Sequence, residues 1–236
     1  MSSEEQQISG YDFLAGATLL VDKPKDWTSF DVVNKIRYTL RKRLEVKKIK
    51  VGHAGTLDPM ATGLLIICTG KATKTLHDLQ GLSKEYTGTI FFGGSTPSFD
   101  AETDIDERFP IDHITPELLE SARQQFLGDI EQVPPIFSAI KVDGQPLYKR
   151  ARRGETVEIK ARDVHIYDLE FTRVELPEVD FRVHCSKGTY IRSLAHDLGK
   201  AANSGAHLIA LRRTRIGDYP IERAWDLEDL IEKLQE

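Results

Sequence analysis

Sulfur is scarce in this chain: two cysteines and two methionines stand among 236 residues. Cys68 and Cys185 lie far apart, each inside an apolar, strand-like run. That pattern excludes a disulfide framework and predicts buried thiols in a reducing, cytoplasmic compartment. No Cys/His pair has metal-ligand spacing, and the seven histidines never form H-x-x-x-H beside an acid, so no metal is expected. No apolar run approaches the ~20 residues that cross a bilayer, and the acidic start MSSEEQQISG is not a signal peptide. The patterns G-x-x-x-x-G-K-[ST], G-x-G-x-x-G and G-x-S-x-G are missing too, which sets aside P-loop, dinucleotide-binding and nucleophile-elbow enzymes. DAETDIDE (100–107) has the acid count of a calcium loop. It lacks that loop's central glycine and correctly spaced terminal glutamate, and reads as a solvated acidic loop.

What the chain does have is the stretch GHAGTLDPMATG, residues 52–63. Three glycines and a proline surround one carboxylate, Asp58, and the apolar run LLIIC follows as a buried strand. Pro59 pushes Asp58 away from helical geometry, while the glycines allow tight turns and close approach. A lone acid in such a loop is a place for chemistry, although the local pattern fits an Asx-type turn at least as well. The formal net charge is -5, yet Lys and Arg cluster in RKRLEVKKIK (41–50), YKRARRG (148–154) and LRRTRIG (211–217). Such patches matter more to a phosphate backbone than the total does.

In order, the chain reads as a loose tail over residues 1–17, a strand at 18–21 and a helix capped by Thr28 or Ser29 through about residue 40. The Asp58 loop and its strand follow, then a short helix ending near Gly81 and a strand over 84–94. Thr115-Pro116-Glu117 starts a further helix. Residues 128–154, rich in turn signals and ending in a cationic, Tyr-bearing segment, read as a projecting arm. One or two strands over 156–174 and an alternating strand at 181–188 precede a helix entered through Thr189. A strand pair, or strand–bend–strand, over 207–221 leads to a final helix capped by Asp226. Without a strict βαβ rhythm, the pattern predicts an α/β (α+β) fold with a mixed, largely antiparallel sheet flanked by helices.

DKPKDWTSFDVV, GHAGTLDPMATGLL, KEYTG, SKGTYIRSLAHDLG and HLIALRRTRIG, in this order and spacing, resemble the TruB family of tRNA pseudouridine synthases over roughly residues 18–225. The resemblance implies isomerisation of uridine 55 in the T-arm of tRNA, with no cofactor. It implies that Asp58 is the catalytic aspartate and Tyr86 the active-site tyrosine. Tyr190 packs on the base and Arg192 ion-pairs with the aspartate. Leu211 walls the pocket, His53 stacks into the opened RNA, and Lys23 with Pro24 supports the catalytic loop, with Lys23 placed among the substrate-binding residues. Whether Asp58 attacks or stabilises C1′, or deprotonates C2′, stays open. The chain ends one short helix after the last motif. The expectation is a single catalytic domain over 1–236 without a PUA domain, in a bacterial monomer needing no protein partner and no membrane. The 128–154 arm would then carry more of the tRNA grip.

Two other readings compete. A non-catalytic RNA-binding module would use the same tyrosines and basic patches, but gains nothing from a bare carboxylate facing phosphates. A glycosidase-like hydrolase would want a second carboxylate near the first, for which Asp100, Glu102 and Asp197 are available.

Overall fold

A computed structural model describes residues 8–138, 141–142, 144–147, 150, 153 and 159–236. The main elements, in chain order, are β1 (Thr18–Lys23), α1 (Ser29–Arg43), β2 (Val51–Ala54), β3 (Thr62–Thr69), α2 (Leu76–Gly81), β4 (Lys84–Phe92) and α3 (Pro116–Gln124). Then come β5 (Gly128–Gln132), β6 (Arg162–Glu175), β7 (Glu178–Cys185), α4 (Ile191–Ala201), β8 (Ala206–Ile216), β9 (Trp225–Asp226) and α5 (Leu227–Lys233). The chain divides into two compact units: one holds the residues up to Lys84 together with Arg212–Glu236, the other Glu85–Leu211.

The first unit is built on β3. β1 pairs antiparallel with it from Thr18↔Cys68 to Lys23↔Gly63. β2 pairs antiparallel from Val51↔Thr69 to Ala54↔Ile66, and the end of β8 pairs parallel at Arg212↔Thr62 and Arg213↔Gly63. β3 is apolar without alternation because both its faces are covered. Leu65 and Ile67 pack with Val32, Val33, Ile36 and Leu40 of α1 and Leu230 of α5. Leu64, Ile66 and Cys68 pack with Leu76, Leu79 and Leu82 on the other side. Thr28, not Ser29, caps α1. Its hydroxyl accepts from Asp31 N–H at 3.1 Å, and the Asp31 carboxylate accepts from Thr28 N–H at 2.9 Å, closing a capping box. The helix runs to Arg43, past the expected end near residue 40, with Arg41, Lys42 and Arg43 in its last turn, where cations complement the helix dipole.

In the second unit β4, β7, β6 and β5 follow one another across the sheet, with the first half of β8 beyond β4. β6 and β7 form an antiparallel hairpin from Ile166↔Cys185 to Glu175↔Glu178. β7 alternates as its sequence predicts, burying Val179, Phe181, Val183 and Cys185. Its other face is charged: Arg173 holds Asp180 at 2.7 Å, and Arg182 reaches Glu85 at 3.3 Å. α3 and α4 touch each other, and α3 packs on β6.

Several expectations need correction. Residues 8–17 are not a loose tail: Phe13 and Ala17 are buried, and the Thr69 hydroxyl donates to Phe13 O at 2.8 Å while accepting from Ala17 N–H at 3.1 Å. Residues 1–7 lie outside the described residues. Residues 128–132 are not the root of a projecting arm but a strand, paired with β6 from Gly128↔Ile166 to Gln132↔Arg162. Most of the cationic segment 148–154 lies outside the described residues. The strand pair expected near 207–221 is present: β8 turns at Gly217 into a short return strand, Tyr219–Pro220, that pairs antiparallel with its end.

Candidate active site

Asp58 sits half-buried in the loop joining β2 to β3, and both its neighbours are pinned. Leu57 is buried; its N–H donates to the Ser29 hydroxyl at 2.9 Å, and that hydroxyl donates to Leu57 O at 3.2 Å. On the other side, Pro59 O accepts from Asp26 N–H at 2.8 Å and from the Lys23 ammonium at 3.3 Å. Asp58 O accepts from Ala61 N–H at 3.1 Å. The first residue of α1 and the β1–α1 turn thus fix the backbone on either side of the carboxylate, whatever the side chain does.

Lys23 is 0 % exposed. Its ammonium donates to Trp27 O at 2.6 Å and Pro24 O at 2.8 Å as well as to Pro59 O. Placed by sequence on the substrate side, it spends its donors on protein carbonyls beneath the loop, a supporting position. Burial pushes its pKa down to about 8, against the upward pull of Asp58's negative charge. An unfolded lysine keeps its proton to about 10.5. Between about pH 8 and that value the unfolded chain binds more protons than the folded one, so this group makes stability rise with pH across that window. Urea unfolding of the wild type across the window is expected to show that slope, and Lys23→Met is expected to lose it.

Arg213, 1 % exposed, holds the other end of the loop. Its Nε donates to Leu64 O at 2.7 Å and a terminal nitrogen to Gly55 O at 3.1 Å. Gly63 explains how the strand carrying Arg213 comes so near: a Cβ there would lie 2.3 Å from Arg213 O, and its φ of +104° favours glycine. Arg212 points the other way and pairs with Asp22 through two bonds, at 3.1 Å and 2.5 Å. His53 is half-buried on β2, opposite Ile67. Burial, and then the charge of Arg213, lower its pKa from 6.5, so the ring is neutral at pH 7.

In the second unit, Tyr190 stands immediately before α4 and Arg192 in its first turn. The side-chain amide of Gln132, 2 % exposed, accepts from Tyr190 N–H at 2.7 Å and donates to Tyr190 O at 3.0 Å. Arg192 is buried and donates to Ser98 O at 3.2 Å and Phe137 O at 2.9 Å. One of its nitrogens lies 3.4 Å from an oxygen of Asp100, which is 0 % exposed. Asp100 also accepts from the Ser98 hydroxyl at 2.5 Å and Glu102 N–H at 3.0 Å. The acidic segment is therefore not solvated throughout. Asp100 turns inward because Arg192 and two hydrogen bonds match its charge, while Glu102, Asp104, Asp106 and Glu107 stay exposed. Next to it, Phe99 takes a φ of +62° and stacks on His196 with ring centroids 3.8 Å apart. A bulky residue there is a strained outlier.

Tyr86 is buried on β4, and Leu211 is half-buried at the point of β8 where the second unit ends. Gly88 of the KEYTG motif lets those strands meet: a Cβ there would stand 2.4 Å from Ala210 O and 2.9 Å from the Phe181 ring. The structure thus brings Lys23 and Asp58 together within the first unit, with His53 near Arg213. Within the second, Tyr190 and Arg192 share one helix start. The partner that unit gives Arg192 is Asp100, which the sequence offered only as a candidate acid. Ser29, Gln132 and Arg213 were not foreseen. Arg213 left a signal: two adjacent arginines in one strand must point to opposite faces, so one of them faces inward.

Residues 41–191 match the model of the TruB family pseudouridylate synthase N-terminal domain. Residues 192–236 match that of the tRNA pseudouridylate synthase B C-terminal domain. The chain is 58% identical to tRNA pseudouridine synthase B of Flavobacterium johnsoniae, across 95% of this chain and 98% of that one. It is 56% identical to the protein of the same name from Phocaeicola vulgatus, across 95% and 96%. Among solved structures, it resembles a chain of a Cbf5-Nop10-Gar1 complex with 30% identity and a TM-score of 0.68, across 93% of this chain and 54% of that one. A chain of an H/ACA RNP bound to a substrate RNA containing 2′-deoxyuridine gives 29% and 0.67, across 93% and 53%. The chain spans about half the length of those two solved chains. No described helix is long and apolar enough to cross a membrane. With both family models tiling residues 41–236 and relatives more than half identical along nearly its whole length, the chain belongs to the TruB family of pseudouridylate synthases.

Proposed function

We propose that this protein isomerises uridine 55 in the T-arm of tRNA to pseudouridine, acting alone and as one catalytic domain. The observation that carries the reading is Asp58: a single carboxylate whose flanking residues are tied down by Ser29, Asp26 and Lys23. A group held in place beforehand loses little on reaching the reactive geometry.

The uracil must leave C1′, turn, and rejoin through C5. It cannot turn inside a stacked loop, so the nucleotide is flipped out, at a few kcal/mol. Asp58 acts at the ribose, by attack or stabilisation at C1′ or by proton removal at C2′. This chemistry requires the acid ionised, which a cation brought to it favours. Tyr190 and Leu211 offer the flipped base flat and apolar surface. His53, as a neutral ring, fills the gap left in the stack. Tyr86 takes the proton from C5, which for a phenol of reference pKa about 10 needs a neighbouring acceptor or cation. The N1–C1′ bond breaks and a C5–C1′ bond forms, and N1 gains a proton as C5 loses one, so no further reagent is needed. With a net charge of -5, RNA affinity rests on local basic patches and falls steeply with salt.

Purified protein incubated with a T-arm stem-loop is expected to convert the uridine at position 55 and no other, as read by mass spectrometry of the digested RNA. Release of free uracil would point instead to a hydrolase. Tight binding with every uridine unchanged would point to a non-catalytic RNA-binding module.

A further inference from the structure

On the solvent side of α1, an open groove of about 470 Å³ is lined by Asp26, Trp27, Asp31, Asn34, Lys35 and Tyr38. Asp31, Asn34, Lys35 and Tyr38 recur at helical spacing on the face turned away from Val32, Val33, Ile36 and Leu40. Tyr38 is 57% exposed, and the Lys42 ammonium stands 4.7 Å from its ring centre. Trp27 is half-buried. Two large rings facing one wet groove offer stacking area to a flat ligand.

The polar groups narrow the choice of ligand. Asp26 holds a left-handed backbone, φ +66°, and among the described residues its carboxylate accepts no hydrogen bond. Asp31 takes both bonds from Thr28 on Oδ2, so Oδ1 is not used by them. Ionised carboxylates only accept. Guanine is the standard base whose pairing edge presents two adjacent donors, N1–H and the 2-amino group, matching a carboxylate bidentately. Adenine and cytosine set an acceptor beside their donor, and uracil flanks its single N–H with carbonyls. Lys35 supplies a cation for the adjoining phosphate. The groove also lies close to the Asp58 loop. Asp26 N–H donates to Pro59 O at 2.8 Å, so an RNA with its target nucleotide at Asp58 passes nearby.

We propose that this groove takes an unpaired guanine of the substrate RNA, stacked on Trp27 and Tyr38 and hydrogen-bonded to the carboxylates of Asp26 and Asp31. The proposal rests on the RNA-modifying reading above.

The test uses the full-length enzyme and a T-arm stem-loop in which each unpaired guanosine is replaced in turn by inosine, which lacks the 2-amino donor. One replacement is expected to raise KM for the wild type about 5- to 20-fold, the effect of losing a good base contact. Asp26→Asn tolerates the left-handed backbone and Tyr38→Ala is at the surface. Both are expected to raise KM more than they lower kcat, and in Asp26→Asn the inosine penalty at that position should vanish. Trp225→Phe leaves Trp27 as the lone tryptophan of the two, and the stem-loop is expected to quench its emission. Unchanged KM in both variants, an inosine penalty that persists in Asp26→Asn, or no quenching on RNA binding would each overturn the groove assignment. An enzyme that makes no pseudouridine at all would overturn the functional reading instead, and Trp27 quenching would still report on the groove.

Discussion

Asp58→Asn is expected to lower the rate of pseudouridine formation by at least about 10³-fold, the scale on which enzymes lose activity when a group acting on the reacting atoms is removed. The substitution keeps the shape of the side chain. The backbone ties at residues 57, 58 and 59 do not involve the substituted carboxylate, so they survive. The substitution removes the negative charge and the basic lone pair. RNA binding is expected to hold or tighten, because a negative charge near phosphates is removed. A second readout follows from Lys23, whose pKa is held up by Asp58. In Asp58→Asn that support is gone, so Lys23 is expected to titrate below about 8, and the rise of stability with pH begins earlier. A variant that keeps near wild-type turnover in a stem-loop assay would remove Asp58 from the chemistry. A variant inactive only because the loop collapsed would show itself by weakened RNA binding.

Asp100→Ala is expected to cost about 3–5 kcal/mol of stability, the usual penalty when one partner of a buried ion pair is removed. At ~2–4 °C per kcal/mol for a chain of this size, that is a fall in Tm of roughly 6–20 °C. The cause is the position of Arg192. Its guanidinium is 4% exposed and lies 3.4 Å from a carboxylate that is 0% exposed. Without Asp100, two carbonyls still accept from it, from Ser98 and Phe137, but the matching charge of Asp100 is gone. Asp100→Asn keeps an acceptor for the Ser98 hydroxyl and Glu102 N–H, so it should cost less and separates charge from shape. The double variant Asp100→Ala with Arg192→Met should recover part of the loss, because the buried guanidinium that Asp100 faces is then gone too. Calorimetry of the three variants checks this. Equal melting temperatures for wild type and Asp100→Ala would show that the pair contributes nothing.

Local pattern made much of this protein legible. Helix starts at Thr28, Thr115 and Asp226 could be placed because a capping side chain acts within three residues of itself. β7 could be placed because a half-buried strand alternates. The motifs sufficed for the family, because a glycine-rich loop around an acid is a contiguous feature. The tail and the acidic loop were misjudged for one shared reason. Composition reports what a segment is made of, not what it meets. Phe13 and Ala17 are held by Thr69, and Asp100 is held by Arg192, more than fifty and ninety residues away respectively.

Taken alone, the amino-acid order determined the fold class, the family and the helix starts, since those depend on neighbours along the chain. Tertiary structure alone decided what holds them: that Lys23 is sealed beneath the loop, that Arg213 rather than Arg212 turns inward to carry Gly55, and that Asp100 is drawn under Arg192. Buried charges and unpaired carbonyls are costly unless matched, and the matching groups come from strands and helices far apart in sequence, so no local pattern announces them.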